Sequence, residues 1–565
     1  MEIRERYIVD IRDMSADGEG IGSADGMAVF APKTVKGDMA LIEITQVKKS
    51  FAKGRLVKLE SPSAHRIDPV CPHGEQCGGC PLNSMDYQGQ LVMKRKWVHD
   101  RLVRIGGLEK PPVAPVIGMD LDPAAGFPVE YRNKAQFPIQ AGRLLKNKEG
   151  KYRNTKPCSV GFYRAKSHDV VDCRSCLIQA EPALAAAEAV KRYVGENQVS
   201  VYDEKNRMGL LRHLVVRSAF ATGEVMVVLV VNGERLPKVE RLIQLLDDGM
   251  NALTKAGEEP FWSLESVILN VNKGRGSEVL GREFITLAGK SSITDYLGDM
   301  AFEISPLSFY QINPVQMKKL YDKVAEFAQL TGEETILDLY CGVGSIGLYC
   351  AGKARRVIGI ESVKQAVLDA NRNAVINGIV NAEFICGRAE EILPQRLQNI
   401  KADVVILDPP RSGCHPALLE AVLDVAPKRI VYVSCDPATM ARDIKFLVNG
   451  GDAENRPDER AGKGAGAGAV TCADSGTKTG SGMGNGAGGQ TDEACASAGT
   501  GSGMCIGTGT KTEAETENTM GAERKTAGKD SRAQGSYDVE KVQPVDMFPG
   551  SGHVETCVLL SHKNS

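Results

Sequence analysis

The segment Val431-Tyr432-Val433-Ser434-Cys435-Asp436-Pro437 is a β-branched run that breaks at a Cys-Asp-Pro turn. A thiol placed where a strand ends can act as a nucleophile once ionised. Strand-end cysteines are more often packing residues, so Cys435 gains weight only from its company. That company is a glycine-rich loop of the S-adenosylmethionine (SAM) type, an Asp408-Pro409-Pro410-Arg411 motif and a set of cysteines upstream. A thiol beside a methyl donor suggests covalent activation of a base that cannot accept a methyl group unaided. Asp436 reads as the residue that caps the turn.

Thr335-Ile336-Leu337-Asp338-Leu339-Tyr340 has the pattern of a buried strand, and Cys341-Gly342-Val343-Gly344-Ser345-Ile346-Gly347 then opens a helix. Glycines let the backbone pass close to a ligand at such a handover. The next strand, Arg356-Val357-Ile358-Gly359-Ile360, ends in Glu361, placed to meet ribose hydroxyls. Gly342, Gly344 and Gly347 also satisfy a dinucleotide fingerprint, so an NAD enzyme is the competing reading. Asp338 argues against it, because a carboxylate there suits the amino group of a methionine moiety and would repel a pyrophosphate. Val404-Val405-Ile406-Leu407-Asp408-Pro409-Pro410 then brings a second acid to a later strand end facing the same cleft.

Cys71, Cys77 and Cys80 stand within ten residues among Pro72-His73-Gly74 and Gly78-Gly79. An iron–sulfur cube or a tetrahedral zinc needs four ligands, and Cys158, Cys173 and Cys176 are the candidates for the fourth. Spacing alone leaves zinc and iron–sulfur both open. The x5 spacing between Cys71 and Cys77 departs from the Cys-x3-Cys-x2-Cys run of radical-SAM enzymes.

These residues need a scaffold, and the 565-residue chain is long enough for three or four domains. Residues 1–60 alternate short β-like runs with Gly-Asp turns, which predicts a small five-strand barrel. Lys48, Lys49, Lys53, Arg55 and Lys58 surround Phe51 at its end, a pattern fitting RNA contact or a lysine-guarded edge strand equally. Residues 61–300 are mixed, with a basic helical stretch (Lys94, Arg95, Lys96, Arg101, Arg104) and candidate RNA contacts at Arg132, Lys134, Arg212, His213 and Arg217. From about 301 the β-α alternation predicts a doubly wound sheet, running to 450 and resuming over 538–565. Gly, Ala, Thr and Ser dominate 451–537, which is expected to be a disordered insertion. Net charge is only −2, so any nucleic-acid surface must come from local patches. No apolar run is long enough to span a bilayer and no signal-peptide core opens the chain, so a cytoplasmic location is expected. Fifteen cysteines then point to metal or redox chemistry before disulfides. Oligomeric state is not legible, and a monomer is assumed.

Taken together, the motifs resemble the RNA uracil-5-methyltransferase family, particularly its 23S rRNA branch with an N-terminal TRAM barrel. The resemblance rests on Cys71-Pro72-His73 with Cys77-Gly78-Gly79-Cys80, Ser305-Pro306-Leu307-Ser308-Phe309-Tyr310-Gln311-Ile312-Asn313, Asp408-Pro409-Pro410-Arg411-Ser412-Gly413, Ser434-Cys435-Asp436-Pro437 and His553-Val554-Glu555. It covers nearly the whole chain outside 451–537. It implies a SAM methyltransferase domain, an OB-like barrel and a mixed α+β iron–sulfur region. It also implies a [4Fe-4S] cluster on Cys71, Cys77, Cys80 and Cys176, SAM contacts at Gln311, Tyr340, Glu361 and Asp408, Cys435 as nucleophile and Glu555 as general base. RNA is the implied partner, 23S rRNA before the tRNA T-loop, and the cluster is expected to serve structure or RNA folding. Two departures stand out: Pro549-Gly550-Ser551-Gly552 precedes His553 where the family usually has Pro-His-Thr, and the long insertion separates Cys435 from Glu555. The remaining alternatives are an NAD-linked iron–sulfur oxidoreductase and a non-catalytic RNA-binding protein.

Overall fold

A computed structural model of the chain describes residues 1–142, 144–146, 152–154, 156–253, 262–396, 400–451 and 537–563. Almost all of the stretch read as an insertion lies outside them. Its last residue is a correction: Tyr537 is a fully buried strand residue whose hydroxyl donates to Pro427 O at 2.9 Å.

Six strands form the N-terminal sheet: β1 (Arg6–Asp10), β2 (Asp13–Met14), β3 (Glu19–Ala24), β4 (Met27–Pro32), β5 (Met39–Val47) and β6 (Phe51–Ser61), in the order β1-β5-β6-β4-β3-β2. The two outer strands are one bent strand, interrupted only at Ile11-Arg12. Ile11 N–H donates to Asp38 O and Arg12 N–H to Ile21 O, both at 2.9 Å, so the sheet closes on itself. That bend is why six segments stand where five were expected. Val9, Val29, Ala31, Ala40, Ile42, Ile44 and Ala52 fill the interior at period two. The basic patch is thinner than its sequence suggests, because Arg55 pairs at 2.7 Å with Glu43 on the neighbouring strand. Phe51 stacks edge-on against Phe30.

Helix α1 (Tyr87–Arg104) leads into the central region, with β7 (Lys134–Ala141), β8 (Leu144–Lys146), β9 (Tyr152–Asn154), β10 (Cys158–Tyr163), β11 (Val170–Asp172), α2 (Glu181–Asn197), β12 (Leu211–Ser218), β13 (Glu224–Val231), α3 (Val239–Leu253), β14 (Ser263–Val271) and β15 (Glu283–Gly289). Seven of these strands make one sheet, β11-β10-β7-β12-β13-β14-β15, with α2 and α3 packed on it. A hairpin of β16 (Ile293–Leu297) and β17 (Met300–Ile304) joins it to the last domain.

That domain runs α4 (Pro314–Ala328), β18 (Thr335–Leu339), α5 (Ser345–Ala351), β19 (Arg356–Glu361), α6 (Lys364–Ile376), β20 (Ala382–Cys386), α7 (Ala389–Arg396), β21 (Val404–Leu407), α8 (Pro416–Val425), β22 (Arg429–Ser434), α9 (Pro437–Val448), β23 (Tyr537–Val545) and β24 (Glu555–His562). The sheet order is β20-β19-β18-β21-β22-β24-β23; its first five strands are parallel and β24 runs against β22. β18, β21 and most of β22 are buried throughout, as strands covered on both faces must be. Helices α4–α6 cover one face, and α1 with α7–α9 the other. Among the described residues no helix is long and apolar enough to cross a membrane.

Candidate active site

Ligands of such sheets bind beyond the carboxyl ends of the strands, where the strand order reverses. Here the reversal lies between β18 and β21. Tyr340, Asp408 and Cys435 each follow the last residue of β18, β21 and β22, and Glu361 ends β19. Ser434 faces Thr556 across the antiparallel pair, so Cys435 and Glu555 are the next residues in register. One edge of one sheet thus gathers five of the predicted site residues.

On the β18–β19 side the groups fit a cationic amino acid moiety beside a ribose. Asp338 is buried; its Oδ2 accepts Gly347 N–H at 2.9 Å, while its Oδ1 has no partner among the described residues. Burial, then the charges of Asp408 and Glu361, push its carboxyl up to about 7. An ammonium group would satisfy the free oxygen and bring the proton off. Glu361 accepts Gly342 N–H at 3.2 Å and Val363 N–H at 2.8 Å, fixing the loop against the second strand. Gly342 has φ 56° and open space where a Cβ would stand, the condition for close backbone approach by a ligand. Gly344 differs: a Cβ there would stand 2.7 Å from the Phe384 ring, so this glycine serves packing. Gln311 is buried, its carbonyl held by Asn133 Nδ2 at 2.9 Å. Tyr340, at φ 65°, turns its hydroxyl to accept from His415 N–H at 3.4 Å.

On the β22–β24 side, burial pushes the Cys435 thiol up to about 12, with Glu555 adding to the shift and Arg411 opposing it. Glu555 is buried and carried up to about 8 by burial and Asp408, against the pull of Arg411. Asp408 is itself raised to about 7 by burial. Asp436 caps α9, its Oδ1 accepting Ala438 N–H at 2.9 Å and Thr439 N–H at 3.1 Å. Arg411 closes the Asp408-Pro409-Pro410-Arg411 motif, and its role is not legible from the sequence. It is the cation shared by Cys435, Glu555 and His553, with Nη2 3.5 Å from His553 Nε2. Its loop is clamped to α9, where Thr439 Oγ1 donates to Arg411 O at 3.2 Å and Arg442 Nη2 to Ser412 O at 3.0 Å. Only its place three residues beyond Asp408 could have signalled this.

Several expected RNA contacts turn inward. Arg212 is buried, donates to Asn272 O at 2.6 Å and lies over the Tyr202 ring. Arg217 is buried and holds Ser308 O at 2.6 Å, steadying the segment before Gln311. Lys94, which is not among those candidates but belongs to the basic helical stretch, is also fully buried, against Asp546 at 2.6 Å. His213 is half-buried, and burial lowers it to about 4. Arg212 and Arg217 share one cause: basic residues on a strand that faces the core need internal acceptors. Arg132 and Lys134 remain half-buried, and Arg132 Nε has no partner among the described residues.

Cys71, Cys77, Cys80 and Cys176 are half-buried neighbours. Burial pushes Cys80 up to about 12, and Cys176, Cys77 and Cys71 add to it, a donor set that favours a cation between them. Cys173 joins the group by hydrogen-bonding Cys77 and holding that thiol down at about 6. Among the described residues, no three His, Cys, Asp or Glu side chains stand in metal-holding geometry.

A family model described as tRNA (Uracil-5-)-methyltransferase matches residues 279–454, and a TRAM domain matches residues 2–57. An uncharacterized RNA methyltransferase of Caldanaerobacter subterraneus subsp. tengcongensis is 44% identical over 452 residues, 80% of this chain and 93% of its own. One of Bacillus cereus is 42% identical over 454 residues, 80% of this chain and 92% of its own. Among solved structures, the Pyrococcus abyssi tRNA (uracil-54, C5)-methyltransferase with S-adenosyl-L-homocysteine is 25% identical, with TM-score 0.62, over 98% of this chain and 100% of that one. The chain belongs to the SAM-dependent RNA uracil-5-methyltransferase family.

Proposed function

We propose that the protein methylates C5 of one uridine in RNA, with Cys435 as nucleophile and Glu555 as base. The observation that carries this reading is the register of β22 and β24, which puts a thiol and a buried carboxylate at adjacent strand ends beside Asp408. SAM, when bound, supplies an electrophilic methyl group. Gln311, Tyr340, Glu361, Asp408, Asp338, Gly342 and Gly344 are the residues we assign to holding it, Gly344 through loop packing.

Uracil C5 is a weak nucleophile until a thiolate adds at C6. Cys435 gives up its proton to solvent, helped by Arg411 and the start of α9, and its sulfur bonds to C6. The electron pair of the C5=C6 bond moves toward C5, which takes the methyl group. Glu555 then removes the C5 proton, the C5=C6 double bond reforms, and the Cys435 sulfur leaves as thiolate and takes back a proton from solvent. Glu555 releases its proton to solvent, so one turnover liberates one proton. The target base must be turned out of its stack to reach this edge, at a cost of a few kcal/mol.

Lys48 and Lys49 on the barrel and Arg132 and Lys134 on the central sheet are the cations we assign to RNA phosphates. Lys134 faces Arg217 across the strands, and Arg217, burial and Arg132 hold it well below the usual lysine range, so an anion arriving there would restore its proton. We assign a [4Fe-4S] cluster to Cys71, Cys77, Cys80 and Cys176, where it would tie two chain segments together and take no part in methyl transfer. A cytoplasmic site of action fits an RNA substrate.

Within the family, 23S rRNA is our first assignment, from the cysteine and barrel motifs. A tRNA T-loop is the second, favoured by the Pyrococcus abyssi tRNA (uracil-54, C5)-methyltransferase, whose structure covers 98% of the chain. Methyl transfer from labelled SAM to separate 23S rRNA and tRNA transcripts, with nucleoside analysis, tests both assignments. 5-Methyluridine in rRNA supports the first and in tRNA the second. No 5-methyluridine in either defeats the reading.

A further inference from the structure

The nine residues 546–554 join β23 to β24 and deliver Glu555, yet they behave unlike a surface connection. From Asp546 to Gly550, every residue of the loop has a backbone group held by another part of the molecule. Lys94 of α1 binds Asp546 at 2.6 Å and donates to Phe548 O at 3.0 Å. Asn313 and Gln316, at the start of α4, donate to Met547 O at 3.2 Å and Asp546 O at 3.0 Å. Tyr131 Oη donates to Pro549 O at 2.7 Å. Gln90 Oε1 accepts Gly550 N–H at 2.9 Å, and Leu82 N–H donates to Gly550 O at 3.0 Å.

Two glycines allow this grip. Gly550 has φ 82°, and a Cβ there would stand 3.4 Å from Cys80 Sγ. A Cβ on Gly552 would fall 1.9 Å from Ala16 O of the barrel. These are the positions where the sequence departs from the family's usual run before His553. The departure is matched by close packing against the barrel and the cysteine segment.

Loops are ordinarily mobile and lightly held. Buried backbone groups, by contrast, are nearly always paired, and each partner fixes a direction. Here the partners come from the cysteine segment, α1, the central region and α4, while the barrel packs against Gly552. We propose that Gln90 and Tyr131 are positioning residues for Glu555: through Gly550 and Pro549 they set the carboxylate over the C5 proton. The assignment rests on Cys435 and Glu555 having the roles given above. Neither residue touches the base or the methyl donor. Their effect falls on the last step alone, because Glu555 is needed only after methyl transfer. A misplacement of about 1 Å can cost about a hundredfold in rate.

The test is a single-turnover reaction with substrate RNA, comparing the wild type with Tyr131→Phe and Gln90→Met. Samples are quenched in denaturant to separate RNA covalently held by protein from released 5-methyluridine RNA. The expected result is formation of the covalent species at the wild-type rate and release slowed roughly tenfold to a hundredfold, so that methylated adduct accumulates. Thermal denaturation of each variant accompanies it. Formation and release falling together, with a lower melting temperature, would show a fold-maintaining role and overturn the proposal, as would unchanged release in both variants. Absence of adduct in the wild type and in Glu555→Gln would instead defeat the catalytic assignment beneath it.

Discussion

The two halves of the catalytic edge are built differently. Apart from Gln311 and Asp408, the cofactor half draws its residues, Asp338, Tyr340, Gly342, Gly344 and Glu361, from one stretch of 24 residues, fixed by short contacts such as Glu361 to Gly342 at 3.2 Å. The acceptor half draws Arg411, Cys435, His553 and Glu555 from three separated segments and leans on Gln90 and Tyr131. A binding loop for a common cofactor can be carried as a local unit. A centre that must hold a thiol, a base and an extruded nucleotide has to be assembled by the whole fold.

The largest effect should come from the acceptor half. Cys435→Ala should abolish turnover, by about 10⁴-fold or more, while RNA binding in a filter assay persists. Retained turnover would transfer the nucleophile role elsewhere. Glu555→Gln should slow release by about 10²–10⁴-fold and leave adduct formation intact. Because the Glu555 charge helps push Cys435 up to about 12, the same variant should form adduct at lower pH than the wild type. A pH profile of adduct formation that fails to move downward would separate the two groups.

The cofactor half should respond in affinity. Asp338→Asn should weaken SAM binding by about tenfold to a hundredfold in calorimetry without changing RNA binding. The carboxyl is raised to about 7 while its free oxygen lacks a cation, and the ionised form is the one that binds. SAM affinity in the wild type should therefore fall as pH drops below about 7, and the Asn variant should lose that dependence. Smallest of all, Lys48→Ala and Lys49→Ala should each weaken RNA binding about two- to threefold and flatten its salt dependence.

The same contrast explains what was legible. β18, β21 and β22 were readable because strands buried on both faces are continuous apolar runs, and the glycine loop because its motif is local. The inward turn of Arg212 and Arg217 is hidden in the sequence because a charge that satisfies buried carbonyls looks there like a surface charge. Arg411 was visible as a residue but not as a partner, since its neighbours Glu555 and His553 lie more than a hundred residues away. The barrel's first strand was counted once because the bend at Ile11-Arg12 carries no glycine or proline.

The most direct test of the central claim is trapping with substrate RNA in which the target uridine carries fluorine at C5. Sulfur can add at C6 and the methyl group can transfer, but no proton remains at C5 for Glu555 to remove, so the adduct cannot break down. Digestion and mass spectrometry should find the nucleotide on the peptide containing Cys435, bearing the transferred methyl group. A nucleotide on another residue, or no adduct from protein that methylates ordinary RNA, would contradict the account.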